Sequence, residues 1–284
     1  MDSKRVALQE VHGPITAFID PDEIVAFALA TNDDNPRYLA GTAVPPTYPV
    51  VPGYQLFMGI PPLAPSAVEG NHGGVHGIHD LRLHKAVSPG THLHTTAERV
   101  SVITSKAGMN VILLLRSFDD ADELVVEQFW SVMYLGAVTG GDHGQPAPDH
   151  KFPEEARDKL VGRTTLSTSR DQTFRYAGAS GDRAAIHVND EAAQRMGFPR
   201  KFNQGLCTLG IVARGLVEIA ADRNPNRVRR LAVRFASPMF PGDDIELAVY
   251  DLGSTRHNLH AYAFEAHSNG KAVLQHGRFE VGAA

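Results

Sequence analysis

The chain has 284 residues, 43% hydrophobic and 21% charged, with a formal net charge of -5. That is the composition of a folded globular chain, which excludes disorder and fibrous structure, and the length suits one large domain or two of about 140 residues. No apolar run approaches the roughly 20 residues needed to cross a bilayer, the acidic balance speaks against broad nucleic-acid binding, and neither a membrane nor a nucleic acid is expected as a partner. The opening MDSKRVALQEVHGPI lacks the apolar core of a signal peptide, and Cys207 is the single cysteine, so the expected compartment is a reducing cytoplasm.

In chain order, FIDPDEIVAFALATNDDNP offers Asp20 as N-cap and Pro21 at the first helical position, with Ile24, Phe27 and Ala28 on one face. This predicts a helix ending near Thr31. The run PVVPGYQLF supplies Val50, Val51, Tyr54, Leu56 and Phe57 as an apolar wall, or as ordinary core. Residues 71–84, NHGGVHGIHDLRLH, hold four histidines whose spacing places no three on one face, so no metal is expected and the stretch reads as a surface loop with a strand entry. No phosphate-binding glycine motif is present there either. Segments HLHTTAERVSVIT, MNVILLLRSF and LVVEQFWSVMYL are rich in β-branched and aromatic residues and read as antiparallel strands.

Residues 136–156 are dense in Gly and Pro, and a linker is assigned to 137–162 between units 1–136 and 163–284. Beyond it the order of elements returns. SRDQTFRYAGASGD answers the first helix, GLCTLGIVARGLVEIAAD is a longer one, and strands follow at RRLAVRF, DIELAVYDL, NLHAYAFEAH and AVLQHGRFEV. Pro241-Gly242 repeats Pro89-Gly90, while Asp182 and His187 repeat Asp33 and Tyr38 at a slightly different offset. These correspondences indicate an internal duplication and an α+β architecture in which each sheet wraps a helix. RVRRLAVR, 227–234, is a local basic patch that reads as a phosphate contact or a solvated strand edge.

The run YAGASGDRAAIHVNDEAAQRMGFPRKFNQGLCTLG resembles the hydratase motif of the MaoC-like, (R)-specific enoyl-CoA hydratases and 3-hydroxyacyl-thioester dehydratases, and the first half resembles the N-terminal half of their double-hotdog members. The resemblance implies a double hotdog with two repeats, a degenerate first half that binds the acyl chain, and a cofactor-free hydro-lyase reaction on an acyl-CoA or acyl carrier protein thioester. It implies Asp182 and His187 as the catalytic pair and the backbone N–H of Gly205 as an oxyanion donor. Ala184 and Ala185 stand where the family has Asn-Pro, and Gln204 where it has His; the missing Asn is expected to enlarge the pocket.

Chemically, hydration of an enoyl thioester needs a base for water, a proton for the alpha carbon and donors for the thioester oxygen. Asp182 and His187 on one loop meet the first two needs, and Gly205 at a helix N-terminus meets the third. Arg200 and Lys201 are candidates for the phosphates of coenzyme A, with Arg229 or Arg234 as further candidates, while a solvated surface role is the preferred reading of each alone; Tyr54 and Phe57 are candidates for the acyl wall or ordinary core. Cys207 reads as a packed thiol. A hotdog thioesterase and a non-catalytic thioester-binding protein remain open beside the hydratase, as do chain length, carrier and oligomeric state, a homodimer included.

Overall fold

The computed structural model describes residues 10–60, 74–137 and 141–283. Its first half runs β1 (Val11–Phe18), α1 (Pro21–Ala30), α2 (Pro36–Leu39), α3 (Val50–Gly59), β2 (Gly74–Leu83), β3 (His92–Ser105), β4 (Gly108–Phe118) and β5 (Leu124–Leu135). After the two-residue β6 (His143–Gly144) come β7 (Leu160–Ser167), α4 (Gln172–Ser180), α5 (Ala185–Val188), α6 (Asp190–Arg195) and α7 (Gly205–Ala220). Four strands close the chain: β8 (Val228–Phe235), β9 (Asp244–Ser254), β10 (His260–Ser268) and β11 (Lys271–Val281).

All ten long strands form one antiparallel sheet in the order β1-β3-β4-β5-β2-β8-β11-β10-β9-β7. Read from its own outer edge, each half has the same sequence of strands: first, third, fourth, fifth, second. The halves meet at β2 and β8, paired from Ile78↔Arg234 to Arg82↔Arg230. Alternation explains the faces. In β3 every second residue from Leu93 to Ser101 is buried, so one side of the pleat meets the helices and the other is partly open.

α7 is apolar almost all round, with twelve of its sixteen residues buried, because it lies inside the curve of the second half and also touches the first. The contact with the first half depends on Gly210, where a Cβ would come within 2.6 Å of the Thr31 side chain at the end of α1. α1 starts as its sequence predicts: the Asp20 side chain accepts from Asp22 N–H at 2.8 Å, Pro21 follows, and Thr31 closes the helix. Ile24 and Phe27 are wholly buried on its inner face, each contributing about 1.5–3 kcal/mol.

Several expectations need correction. The basic run 227–234 is neither an edge nor an open phosphate site over its length: β8 is central, paired on both sides, and Arg230 is turned inward. Its guanidinium donates from Nε to Asp80 Oδ1 at 2.9 Å and from NH2 to Oδ2 at 2.8 Å, and lies 3.5 Å from Glu280. The histidine-rich stretch is no surface loop, since Gly74–Leu83 is a strand and His79 is fully buried; His72 lies outside the described residues. The segment assigned as linker is less bare than its composition suggests. Phe152 and Ala156 pack under Tyr250, His143-Gly144 pairs with β3, and β7 already starts at Leu160.

Candidate active site

The site begins at the end of α4. Gly181 adopts a left-handed conformation, φ 79°, which ends the helix and turns the chain outward. Ser180 Oγ donates back to Tyr176 O at 2.8 Å and accepts from Asp182 N–H at 3.2 Å, which sets the direction of the next residue. The carboxylate of Asp182 then accepts from Ala184 N–H at 3.2 Å and from the phenol of Tyr54, on α3 of the other half, at 2.9 Å. Burial, then the negative charge of Asp182, raise the pKa of that phenol above its ordinary value, so Tyr54 remains a donor.

His187 lies on the single turn α5 and is buried. Its Nδ1 is 2.8 Å from the carbonyl of Phe202, an arrangement in which Nδ1 carries the proton and Nε2 is left as an acceptor. Burial lowers its pKa, while the charge of Asp182 and the Phe202 carbonyl act the other way; the ring is therefore neutral near pH 7.

Gln204 holds the two loops together. Its Nε2 donates to Asp182 O at 3.0 Å and to Thr173 O at 3.2 Å, tying the start of α7 to the chain that carries the carboxylate. Gly205 opens α7, where the first N–H groups have no partner within the helix. A Cβ at 205 would meet the Phe235 ring at 3.0–3.3 Å, so only glycine leaves this backbone uncovered.

His187 and Gly205 line one cavity of about 440 Å³, together with Asn203, Phe235, His76 and Arg234. The His76 ring stacks on Trp130 at 5.1 Å and meets Phe235 at 4.6 Å, so β2 of the first half supplies part of the wall. The cavity offers a neutral imidazole acceptor and a backbone donor at a helix start; the Asp182 carboxylate does not line it but lies near enough for its charge to act on His187, and together the three are the set that polarises a carbonyl and activates a water.

Other expected residues lie elsewhere. Tyr54 and Phe57 do not line this cavity: Tyr54 serves Asp182, and Phe57 stacks on Trp130 at 5.3 Å. Arg200 sits over the Phe240 ring, 3.8 Å from Asp243, and Lys201 lies 3.4 Å from Asp190; both are outside the lining. Arg229 turns to the backbone carbonyls of Asn226 and Val228. Ala184 is exposed and does not line the cavity, so the missing Asn does not enlarge it, against expectation. Cys207 is buried, with its pKa pushed up to about 12 by burial, as a packed thiol should be. Among the described residues no three His, Cys, Asp or Glu groups gather as a metal site, and no helix is long and apolar enough to cross a membrane. Sequence reasoning missed Asn203 and the role of Gln204, although both lie within two residues of Gly205, and it set aside His76 with the other histidines.

Residues 151–266 match the MaoC like domain family model. The chain is 28% identical over 269 residues to the peroxisomal multifunctional enzyme type 2 of Drosophila melanogaster, covering 89% of this chain but 44% of that protein. It is 28% identical to 3-hydroxyacyl-thioester dehydratase Y of Mycobacterium tuberculosis over 72% of this chain and 70% of that one. In fold it is similar to a MaoC-like dehydratase from Phytophthora capsici, with a TM-score of 0.83, 20% identity and 98% of both chains covered. It is similar also to a Mycobacterium tuberculosis protein described as a double hotdog, with a TM-score of 0.59, 15% identity and coverage of 97% and 96%. Residues 151–266 thus match a MaoC like domain, and the chain as a whole is similar in fold to a MaoC-like dehydratase.

Proposed function

We propose that the protein adds water reversibly across the double bond of a trans-2-enoyl thioester, giving the (R)-3-hydroxyacyl thioester. The observation that carries this reading is the meeting of His187, its Nδ1 fixed on the Phe202 carbonyl, with the N–H end of α7 at Gly205 in one cavity; Asp182 does not line it, but its charge acts on the His187 ring and its carbonyl is tied to the start of α7 by Gln204. The relatives named 3-hydroxyacyl-thioester dehydratase and probable enoyl-CoA hydratase support the same chemistry.

In this reaction a water donates one O–H to His187 Nε2 and the other to the oxygen of Asp182 that Tyr54 does not engage. Its lone pair attacks C3, the π electrons move to the thioester oxygen, and the Gly205 N–H stabilises the enolate charge. The proton lost by the water passes to the dyad and then to C2, so the atoms of one water are added and no other reactant is needed. Arg234 is exposed at the cavity and has no carboxylate partner among the described residues, which favours it over Arg200 and Lys201 for the phosphates of coenzyme A. The matching strand order of the halves supports two hotdog repeats around the connection 137–162, the second opening with β7.

Asp182→Asn and His187→Ala should each lower turnover of a short trans-2-enoyl-CoA by at least about a hundredfold. A folded double variant that hydrates as fast as the parent would overturn the assignment. Thiol release from a saturated acyl-CoA, faster than hydration, would point to a thioesterase.

A further inference from the structure

Asn203 is 2% exposed, and neither its Oδ1 nor its Nδ2 has a hydrogen-bond partner among the described residues. A carboxamide buried in that state costs about 1–3 kcal/mol for each unmet end. Its backbone is fixed by a 2.7 Å bond from its N–H to Met239 O, and the residue lines the cavity with His187 and Gly205. Its neighbours in the chain have partners already: Phe202 gives its carbonyl to His187, and Gln204 donates to Asp182 O. Of the three residues that lead into α7, the middle one alone presents a polar side chain with neither end engaged, two positions before the helix start; Gln204 leaves only its Oε1 unmet.

We propose that Asn203 is a substrate-contacting residue, its Nδ2 donating to the thioester oxygen as a second donor beside the Gly205 N–H. The inference rests on the hydration reading and extends it. Both ends of the carboxamide have a counterpart on such a substrate: the thioester oxygen accepts from Nδ2, and the amide N–H that a pantetheine arm carries two methylenes from sulfur donates to Oδ1. With neither end held by protein, the amide can turn to either orientation as the ligand requires. It would also return to the site a carboxamide, which position 184 lacks in this chain.

The test is Asn203→Leu, close in shape and without polar atoms, compared with the parent by steady-state hydration of trans-2-butenoyl-CoA and by thermal unfolding. Removing one oxyanion donor should lower kcat by about a hundredfold. The unfolding midpoint should stay level or rise, because an unmet carboxamide has left the core. An unchanged kcat overturns the inference while leaving the hydration reading intact. A kcat loss matched by a lower midpoint overturns it too, since that pattern marks a structural role. A parent protein with no hydratase turnover overturns the hydration reading and this inference together.

Discussion

The phenol of Tyr54 donates to the carboxylate of Asp182 across 2.9 Å, although 128 residues separate them in the chain. The first half therefore holds the proposed base of the second in position. Tyr54→Phe removes one hydrogen bond to a charged group, worth about 1.5 kcal/mol, and kcat for enoyl-CoA hydration should fall roughly tenfold. KM should change little, because Tyr54 does not line the cavity. A kcat equal to the parent's in a folded variant would show that Asp182 needs no such support.

The seam between the halves is held by charge as well as by backbone pairing. Asp80, 0% exposed, receives two bonds from Arg230 and one from Arg82 at 3.1 Å. Burial alone would raise its pKa, but the two guanidinium groups outweigh it and hold the carboxyl below its ordinary value. Arg230→Leu leaves a buried carboxylate with Arg82 alone and should destabilise by about 3 kcal/mol, the lower end for a broken buried pair. Pairing Arg230→Leu with Asp80→Leu should recover much of the loss. Denaturant midpoints decide it, and a single variant within experimental error of the parent would remove the pair from any part in the seam.

Asp33, which the spacing of the sequence matches to Asp182, has its pKa raised to about 6, mainly by burial, against the pull of Asn35 N–H and Arg214. The folded state thus binds the proton more tightly than the unfolded one. Its stabilising effect is full below the unfolded value near 4 and is lost as pH rises through 6. Asp33→Asn keeps an oxygen for Asn35 N–H and needs no ionisation, so at pH 8 it should be more stable than the parent by up to about 3 kcal/mol. At pH 4 the difference should nearly vanish. Equal differences in midpoint at both pH values would contradict this account.

Local rules made some of this visible in the sequence and long-range pairing hid the rest. α1 was legible because Asp20, Pro21 and the spacing of Ile24 and Phe27 act within a few residues, and β8 to β11 because turns of Gly, Asn and Asp separate β-branched runs. β1 escaped notice: Gly13-Pro14 breaks its alternation, and its pairing with β3 shifts register there. The position of β8 was misread since arginines suggest solvent, while the carboxylate that draws Arg230 inward lies 150 residues earlier. Asp182, His187 and Gly205 fall within one short run, so the sequence alone puts them forward together as candidates. Tyr54 reaches that run only through the fold, and nothing around it in the chain signals a partner. Asn203 stood inside the run but in a place where only burial reveals a polar group left without company.

The pairing of β2 with β8 covers Ile78–Arg82, while β2 itself starts at Gly74. Gly74 to Gly77 therefore extend past the join, and these residues line the cavity opposite Asn203 and Gly205. Reagents and container are thus encoded far apart: the groups proposed to move protons come from one half, and much of the wall comes from the other. On the hydration reading, substitutions along Gly74–Ile78 or at Met133 should change which acyl groups are admitted while the dyad stays untouched. A lineage of such chains could diversify its substrates by drift in the first half alone.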